Sequence, residues 1–320
     1  MALPPRILIH ELGPREGMQI EKQPIATSEK IRLVDLLSDC GFHEIEVTSF
    51  VSPKWVPQMA DAEAVVAGIR RAPGTRYTGI YLNTQGLQRA VMTGRLDVEG
   101  SLSITASDTF SRRNTNRSIE DTFAETASRI EGFGRFGIIP HEVSVMAAFG
   151  CNYEGDIAPG HVVGLIERLM DVAAENSYPI NTIQLADTMG WANPESIRRL
   201  VGAVQDRWPT CRINLHLHDT RGLGLMNAFA AMEMGVDDFD SAVAGLGGCP
   251  YASFKDAPGN IATEDLVHLC HELGIQTGID LERLLDVARE AEAIVGHPLP
   301  GKVMRGGHLA SYRKKAARAR

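Results

Sequence analysis

The residues with the clearest chemical potential lie in Arg212–Thr220, R-I-N-L-H-L-H-D-T. Ile213, Leu215 and Leu217 alternate with Asn214, His216 and His218, which is the period of a β-strand. The two imidazoles therefore project to one face with β-carbons about 7 Å apart, a span that both rings can close onto one metal ion. Histidine pairs at this spacing also occur as hydrogen-bonded core groups. A metal site needs further donors at the same place, and so the elements that would deliver them.

Composition narrows the field. The chain has 320 residues, 44% hydrophobic and 22% charged, in the range of a globular enzyme. A formal net charge of −8 weighs against a broad nucleic-acid-binding surface, and no apolar run is long enough to span a bilayer. The five cysteines form no CxxC pair, which argues against a disulfide scaffold or a thiolate zinc site. Cys40, Cys211 and Cys270 read as small buried hydrophobes. The N-terminus, M-A-L-P-P-R, lacks the apolar core of a secretory signal, and a reducing cytoplasm is the expected setting.

Short apolar strands alternate with amphipathic helices along the chain. Strand patterns fall at Arg6–Glu11, Glu44–Thr48, Tyr77–Tyr81, Val98–Ile104, Glu142–Ala147, Thr182–Leu185, the histidine strand and Phe239–Val243. The first is followed by a helix capped by Ser28, with Ile31, Val34 and Leu37 at helical spacing. Helices at Asp61–Arg70, Gln85–Met92, Ile119–Ile130 and His161–Ala174 come next. A helix behind the Asn193-Pro194 cap, then Leu225–Met234 and Thr263–Leu273, complete the alternation. Eight such pairs specify an α/β protein, with a closed (β/α)8 TIM barrel over residues 1–300 as the economical architecture. No G-x-G-x-x-G turn follows the first strand, as an open dinucleotide-binding sheet would require. Asp280–Val295 adds a short C-terminal helical extension, and residues 301–320 read as a basic, mobile tail.

Barrel enzymes carry their chemistry at the C-terminal ends of the strands. Unusual polar residues gather there: Glu11, Arg15 and Glu16 after the first strand, Glu46 in the second, Asn83 and Ser107 after the third and fourth, and Asp187 after the sixth. The loop Gly245–Asn260 follows the eighth. Each alone fits a structural polar group, but together they favour a metal site with carboxylate, imidazole and amide ligands. That set suits Mg²⁺ or Mn²⁺, and zinc also fits. Cys249 sits in a glycine-rich segment able to approach a ligand closely, where a thiol could donate or accept a proton.

Several blocks resemble the 3-hydroxy-3-methylglutaryl-CoA lyase family of DRE-TIM metallolyases. They are G-P-R-E-G-M-Q-x-E-K (Gly13–Lys22), I-E-V-T-S-F-V-S-P-K-W-V-P-Q-M (Ile45–Met59), A-D-T-M-G (Ala186–Gly190), H-L-H-D-T (His216–Thr220), G-L-G-G-C-P-Y-A (Gly245–Ala252) and G-N-I-A-T-E-D (Gly259–Asp265). The resemblance runs in order from about Ile7 to Leu285. It implies a TIM barrel that uses a divalent cation, Mg²⁺ or Mn²⁺, to cleave an acyl-CoA substrate. The family's metal ligands fall on Glu16, His216, His218 and Asn260. Arg15 takes the place of the arginine that steadies the substrate carbonyl and the enolate. Glu46 and Asp187 match acidic residues of the site, Glu264 a carboxylate beside the asparagine ligand, and Cys249 the mobile-loop cysteine. The implied reaction is retro-Claisen cleavage to acetyl-CoA and acetoacetate. No nucleic acid or membrane partner is implied, and a homodimer stays open.

The chain departs from the family pattern in three places. Glu16 stands where the family has aspartate, and its extra methylene moves the carboxylate by over an ångström unless the backbone yields. Ile20 and Ser144 stand near an expected asparagine and tyrosine. The segment from Cys249 to Asn260, with Phe254 and Lys255, is about two residues longer than usual. These changes support a sister reading, cleavage of a related 3-hydroxy-3-alkylglutaryl-CoA or citramalyl-CoA. A Claisen synthase of the isopropylmalate synthase type and a non-catalytic acyl-CoA- or metal-binding barrel are the rivals. Lys22, Lys54, Arg112 and Arg113 on the rim loops are candidates for phosphate contacts.

Overall fold

The computed structural model describes residues 3–248 and 259–318. Its principal strands are β1 (Leu8–Glu11), β2 (Glu44–Ser49), β3 (Arg76–Ile80), β4 (Ser101–Thr105), β5 (Glu142–Met146), β6 (Thr182–Ala186), β7 (Arg212–His216) and β8 (Asp238–Ser241). They form one sheet in the order β3-β2-β1-β8-β7-β6-β5-β4, with every ladder parallel. The two ends of that order meet through Asp97: its N–H donates to the Tyr77 carbonyl at 2.8 Å, and its carboxylate accepts from the Tyr77 N–H at 2.9 Å. The expected (β/α)8 TIM barrel is the fold.

The period-two pattern splits the strands into two faces. Ile45, Tyr77, Val143, Ile183, Leu215 and Phe239 are buried outward, in the layer between sheet and helices. Against them pack α1 (Thr27–Ser38), α2 (Ala62–Gly68), α3 (Thr84–Met92), α5 (Ile119–Phe136), α6 (Pro159–Glu175), α7 (Pro194–Arg207), α8 (Gly224–Glu233) and α9 (Thr263–Glu272), while α4 (Asp108–Thr115) buries Phe110 in a smaller cluster with Ala147, Cys151 and Met189. The inward face is different. Barrel lumens are commonly packed with bulky branched side chains. Here Glu46, Thr78, Ser103, Ser144, Gln184, Asn214, His216 and Asp240 line a cavity inside the barrel. The apolar core holds the strands from outside, and the lumen is left polar.

Local sequence explains some of the helix starts. Asn193 accepts hydrogen bonds from Glu195 N and Ser196 N, both at 3.0 Å, with Pro194 opening α7 as expected. Ser28 does not cap α1: the cap position is Ala26, and Ser28 lies within the first turn. Thr27 spends its hydroxyl on Asp61, at 2.7 Å. The helix α4 was not anticipated, and Ser107, a candidate site residue, caps it by accepting from Phe110 N. Cys40 and Cys270 are buried as expected, whereas Cys211 is partly exposed. The extension α10 (Leu281–Val295) follows the barrel. Beyond it, the expected basic tail carries α11 (Val303–Gly306) and α12 (Leu309–Arg318), with Arg313 paired to Glu272 at 2.6 Å. No described helix is long and apolar enough to cross a membrane.

Replacing the Asn193 cap tests this local logic. Asn193→Ala should destabilise the protein by about 1 kcal/mol through the two orphaned N–H groups, read as a lowered urea midpoint; an unchanged midpoint would show that α7 does not need its cap.

Candidate metal centre

Three backbone segments build the site. After β1 the chain makes a wide helical turn over Gly13–Gly17, in which Leu12 O accepts from Glu16 N at 2.8 Å and Arg15 N at 3.1 Å. This turn sets Arg15 and Glu16 at the barrel mouth. His216 ends β7, and the chain continues so that His218 pairs with Asn260 in a single antiparallel bridge. Ile261 N donates to Leu217 O and Ala242 N to Ile261 O, which docks the Asn260 segment between the ends of β7 and β8. A Cβ on Gly259 would overlap the backbone of Gly247 and Gly248, so only glycine permits this approach.

The donor atoms converge. His216 Nε2 and His218 Nε2 lie 3.0 Å apart, and Glu16 Oε1 is 3.6 and 3.4 Å from them. These three residues place one ligand atom each within 4.8 Å of one another. Asn260 Nδ2 donates to Glu16 Oε1 and to Leu246 O, each at 3.1 Å. Among the described residues its buried Oδ1 has no hydrogen-bond partner. One carboxylate and two imidazole nitrogens fit a borderline divalent cation, and Asn260, which turns Nδ2 to Glu16, adds its unpartnered Oδ1 to the set once its amide is rotated. Glu16 reaches this cluster despite standing where the resemblance expects aspartate.

Charge at the site is balanced internally. Burial pushes the Glu16 carboxyl up, but His216, Arg15 and the imidazole hydrogen bonds outweigh it and hold the group well below its ordinary range. Burial lowers His216, yet Glu16 and Asp240 raise it to about 10. Arg15 Nη2 lies 3.2 Å from Glu16 Oε2, and Arg15 Nε donates to Glu46. Burial lifts the Glu46 carboxyl to about 7 against the pull of Arg15.

Other expected site residues stand back. Asp187 Oδ1 accepts from Trp191 N at 2.7 Å and Ala192 N at 3.1 Å, folding the loop behind the site. Glu264 Oε2 accepts from Ala244 N at 2.9 Å, and Glu11 accepts from Gly13 N and Val243 N, both at 2.8 Å. Asn83 caps α3. Ile20 and Ser144 line the cavity. Cys249, with Phe254 and Lys255, lies outside the described residues. Of the candidate phosphate contacts, Arg112 pairs with Asp108, while Lys54 and Arg113 lie over the Trp55 and Tyr153 rings. The sequence reading missed Asp240, Gln184 and Asn214, which underlie His216. The D-F-D alternation of Asp238 and Asp240, read at period two, was the available signal.

A parallel barrel whose strand ends gather a carboxylate, two imidazoles and an arginine is by class an enzyme barrel with a candidate metal site. The chain belongs to the HMGL-like family, whose model matches residues 6–290. It is 42% identical over 285 residues to hydroxymethylglutaryl-CoA lyase, mitochondrial, of Gallus gallus, covering 89% of this chain and 92% of that one. It is 41% identical over 300 residues to the 3-hydroxy-3-isohexenylglutaryl-CoA/hydroxy-methylglutaryl-CoA lyase of Pseudomonas aeruginosa, covering 92% and 95%. An HMG-CoA lyase from Acinetobacter baumannii, solved with coenzyme A and 3-methylmalate, superposes with a TM-score of 0.85 at 38% identity, covering 96% and 97%.

Two outcomes follow from this geometry. Glu16→Asp withdraws the carboxylate by about one C–C bond, and Mn²⁺ binding measured by titration calorimetry should weaken roughly tenfold to hundredfold; undiminished affinity would remove Glu16 from the ligand set. Burial holds the Glu264 carboxyl at about 8, with Asp265 and Glu11 adding to it. A carboxyl raised on folding stabilises fully below about pH 4.5 and loses that contribution as pH climbs towards 8. Glu264→Gln should therefore flatten the fall in melting temperature across this window, and an identical slope would mean that Glu264 does not carry the proton.

Proposed function

We propose that this protein is a divalent-cation-dependent carbon–carbon lyase that cleaves 3-hydroxy-3-methylglutaryl-CoA to acetyl-CoA and acetoacetate. The observation that carries the reading is the convergence of Glu16, His216 and His218, with Arg15 beside them, inside a barrel of the HMGL-like family. In this reading Glu16, His216, His218 and Asn260 hold the cation, with Mg²⁺ or Mn²⁺ as the ions the family resemblance implies for this mixed oxygen and nitrogen set. A cation bound there polarises the substrate's tertiary hydroxyl and lowers its pKa.

The chain's own groups do the rest. Glu46, on the cavity wall with its carboxyl near neutrality, accepts the hydroxyl proton. The C2–C3 bond then parts: the C3 oxygen becomes a ketone, and the electron pair passes through C2 onto the thioester as an enolate. Arg15 is held by Glu46 and Glu16 with its guanidinium at the mouth, and it meets the enolate oxygen. On the family resemblance, Cys249 returns a proton to C2. Asp187 and Glu264 serve by folding the loops that carry the site.

A broader substrate range has its own support. The cavity lined by Glu16, His216 and His218 runs down the barrel past Ser144 and Ser103, about 590 Å³ in all. The Pseudomonas aeruginosa relative is named for both 3-hydroxy-3-isohexenylglutaryl-CoA and hydroxymethylglutaryl-CoA. Longer 3-substituents therefore belong in the substrate panel.

Chelated protein should release no acetoacetate from 3-hydroxy-3-methylglutaryl-CoA, and added Mg²⁺ or Mn²⁺ should restore release. Arg15→Gln should lower kcat about 10²- to 10³-fold while Mn²⁺ still binds. Metal-loaded protein inactive on every 3-hydroxyacyl-CoA tried would favour the non-catalytic barrel instead.

A further inference from the structure

The two candidate histidine ligands are held in different ways. His218 is packed, its side chain 2% exposed, and its Nδ1 has no hydrogen-bond partner among the described residues. His216 presents Nδ1 to Asp240 Oδ2 at 3.1 Å, on the side of the ring opposite the Nε2 that faces Glu16 and His218. Asp240 is itself pinned. Its Oδ2 accepts from Gln184 Nε2 at 3.1 Å and its Oδ1 from Asn214 Nδ2 at 3.0 Å. Ser144, the strand-five departure from the family pattern, donates to Gln184 Oε1 at 2.7 Å. Sheet register produces this arrangement, because Ser144, Gln184 and Asn214 are successive partners across β5, β6 and β7, while His216 and Asp240 are partners across β7 and β8.

We propose that Asp240 is a positioning residue for His216, and that Gln184, braced by Ser144, sets the angle at which Asp240 does it. A carboxylate that accepts the Nδ1 hydrogen leaves the lone pair on Nε2, aimed at the cluster. Three donors, from His216, Gln184 and Asn214, already occupy the two carboxylate oxygens. An asparagine at this position keeps the volume but offers one acceptor oxygen and adds two N–H donors. At least one donor then faces another, and the ring loses the partner that selects its tautomer. Asp238 provides an internal comparison. It lies two residues away on β8, accepts from the same Asn214 at 2.9 Å and pairs with His10 at 2.7 Å, but it touches no ligand.

This inference rests on the cation reading above, and its test reads metal binding rather than turnover. Mn²⁺ titrated calorimetrically into metal-free Asp240→Asn should bind about 10- to 100-fold more weakly than to the wild-type chain. Metal-free Asp238→Asn should stay within about threefold of wild type, since its loss leaves the His216 partner in place. Unchanged affinity in Asp240→Asn, or an equal loss in Asp238→Asn, overturns the positioning role and leaves the metal centre standing. Wild-type protein that takes up no Mn²⁺ overturns both. Should Asp240→Asn fail to unfold cooperatively, Gln184→Leu takes its place: it removes one donor to Asp240 and should weaken Mn²⁺ about three- to tenfold, and no change there overturns the proposal.

Discussion

A buried carboxylate that cannot be left uncompensated organises this structure. Glu16 lies at the barrel mouth with its side chain 14% exposed, where an unpaired anion is costly. Arg15, His216, His218 and Asn260 all direct positive or hydrogen-bonding atoms at it. Those four partners arrive from three separate stretches of chain, so the turn after β1, the end of β7 and the segment after Gly259 must meet within one hydrogen-bond length. Much of the fold around the mouth serves to make them meet.

The clamps that achieve this are themselves buried acids. Glu11 receives the N–H groups of Gly13 and Val243 and the Thr263 hydroxyl, tying the first turn to the end of β8 and to α9. Glu264 receives the Ala244 N–H, at a residue whose φ of 59° is left-handed and needs outside support. Burial raises Glu11 to about 7 and Glu264 to about 8. Their acidity serves architecture. They account for part of the acidic crowding at this rim, while Glu16, Glu46 and Asp240 line the cavity.

Much of this was legible in the sequence because it rests on period and local caps. The alternation of Ile213, Leu215 and Leu217 with Asn214, His216 and His218 specified both the strand and the shared face of the histidines. Asn193-Pro194 specified a helix start. What escaped depends on tertiary pairing. Ser28 looked like a cap, but the fate of the Thr27 hydroxyl is decided by Asp61 on another segment. For Asp187 and Glu264, a place at a strand end does not reveal which backbone N–H groups will claim one of their oxygens. Asp240 escaped because an inward carboxylate gains meaning only once β8 is in register with β7.

The glutamate at position 16 can be understood from the same constraints. The first turn has little freedom to move towards the site: Leu12 N is held by Ser241 O at 2.9 Å, and Gly13 N by Glu11 at 2.8 Å. A Cβ on Gly13 would come within 2.7 Å of Glu11 Oε1 and 2.9 Å of Val243 Cγ1, so the turn is seated tightly against its clamp. With the backbone pinned, the length of the side chain sets where the carboxylate sits. Glu16 uses its extra methylene to bring Oε1 within 3.6 Å of both imidazole nitrogens while leaving Oε2 on Arg15. A glutamate where the resemblance expects aspartate is therefore matched to this turn, and the candidate ligand and the loop that carries it have to be read as one unit.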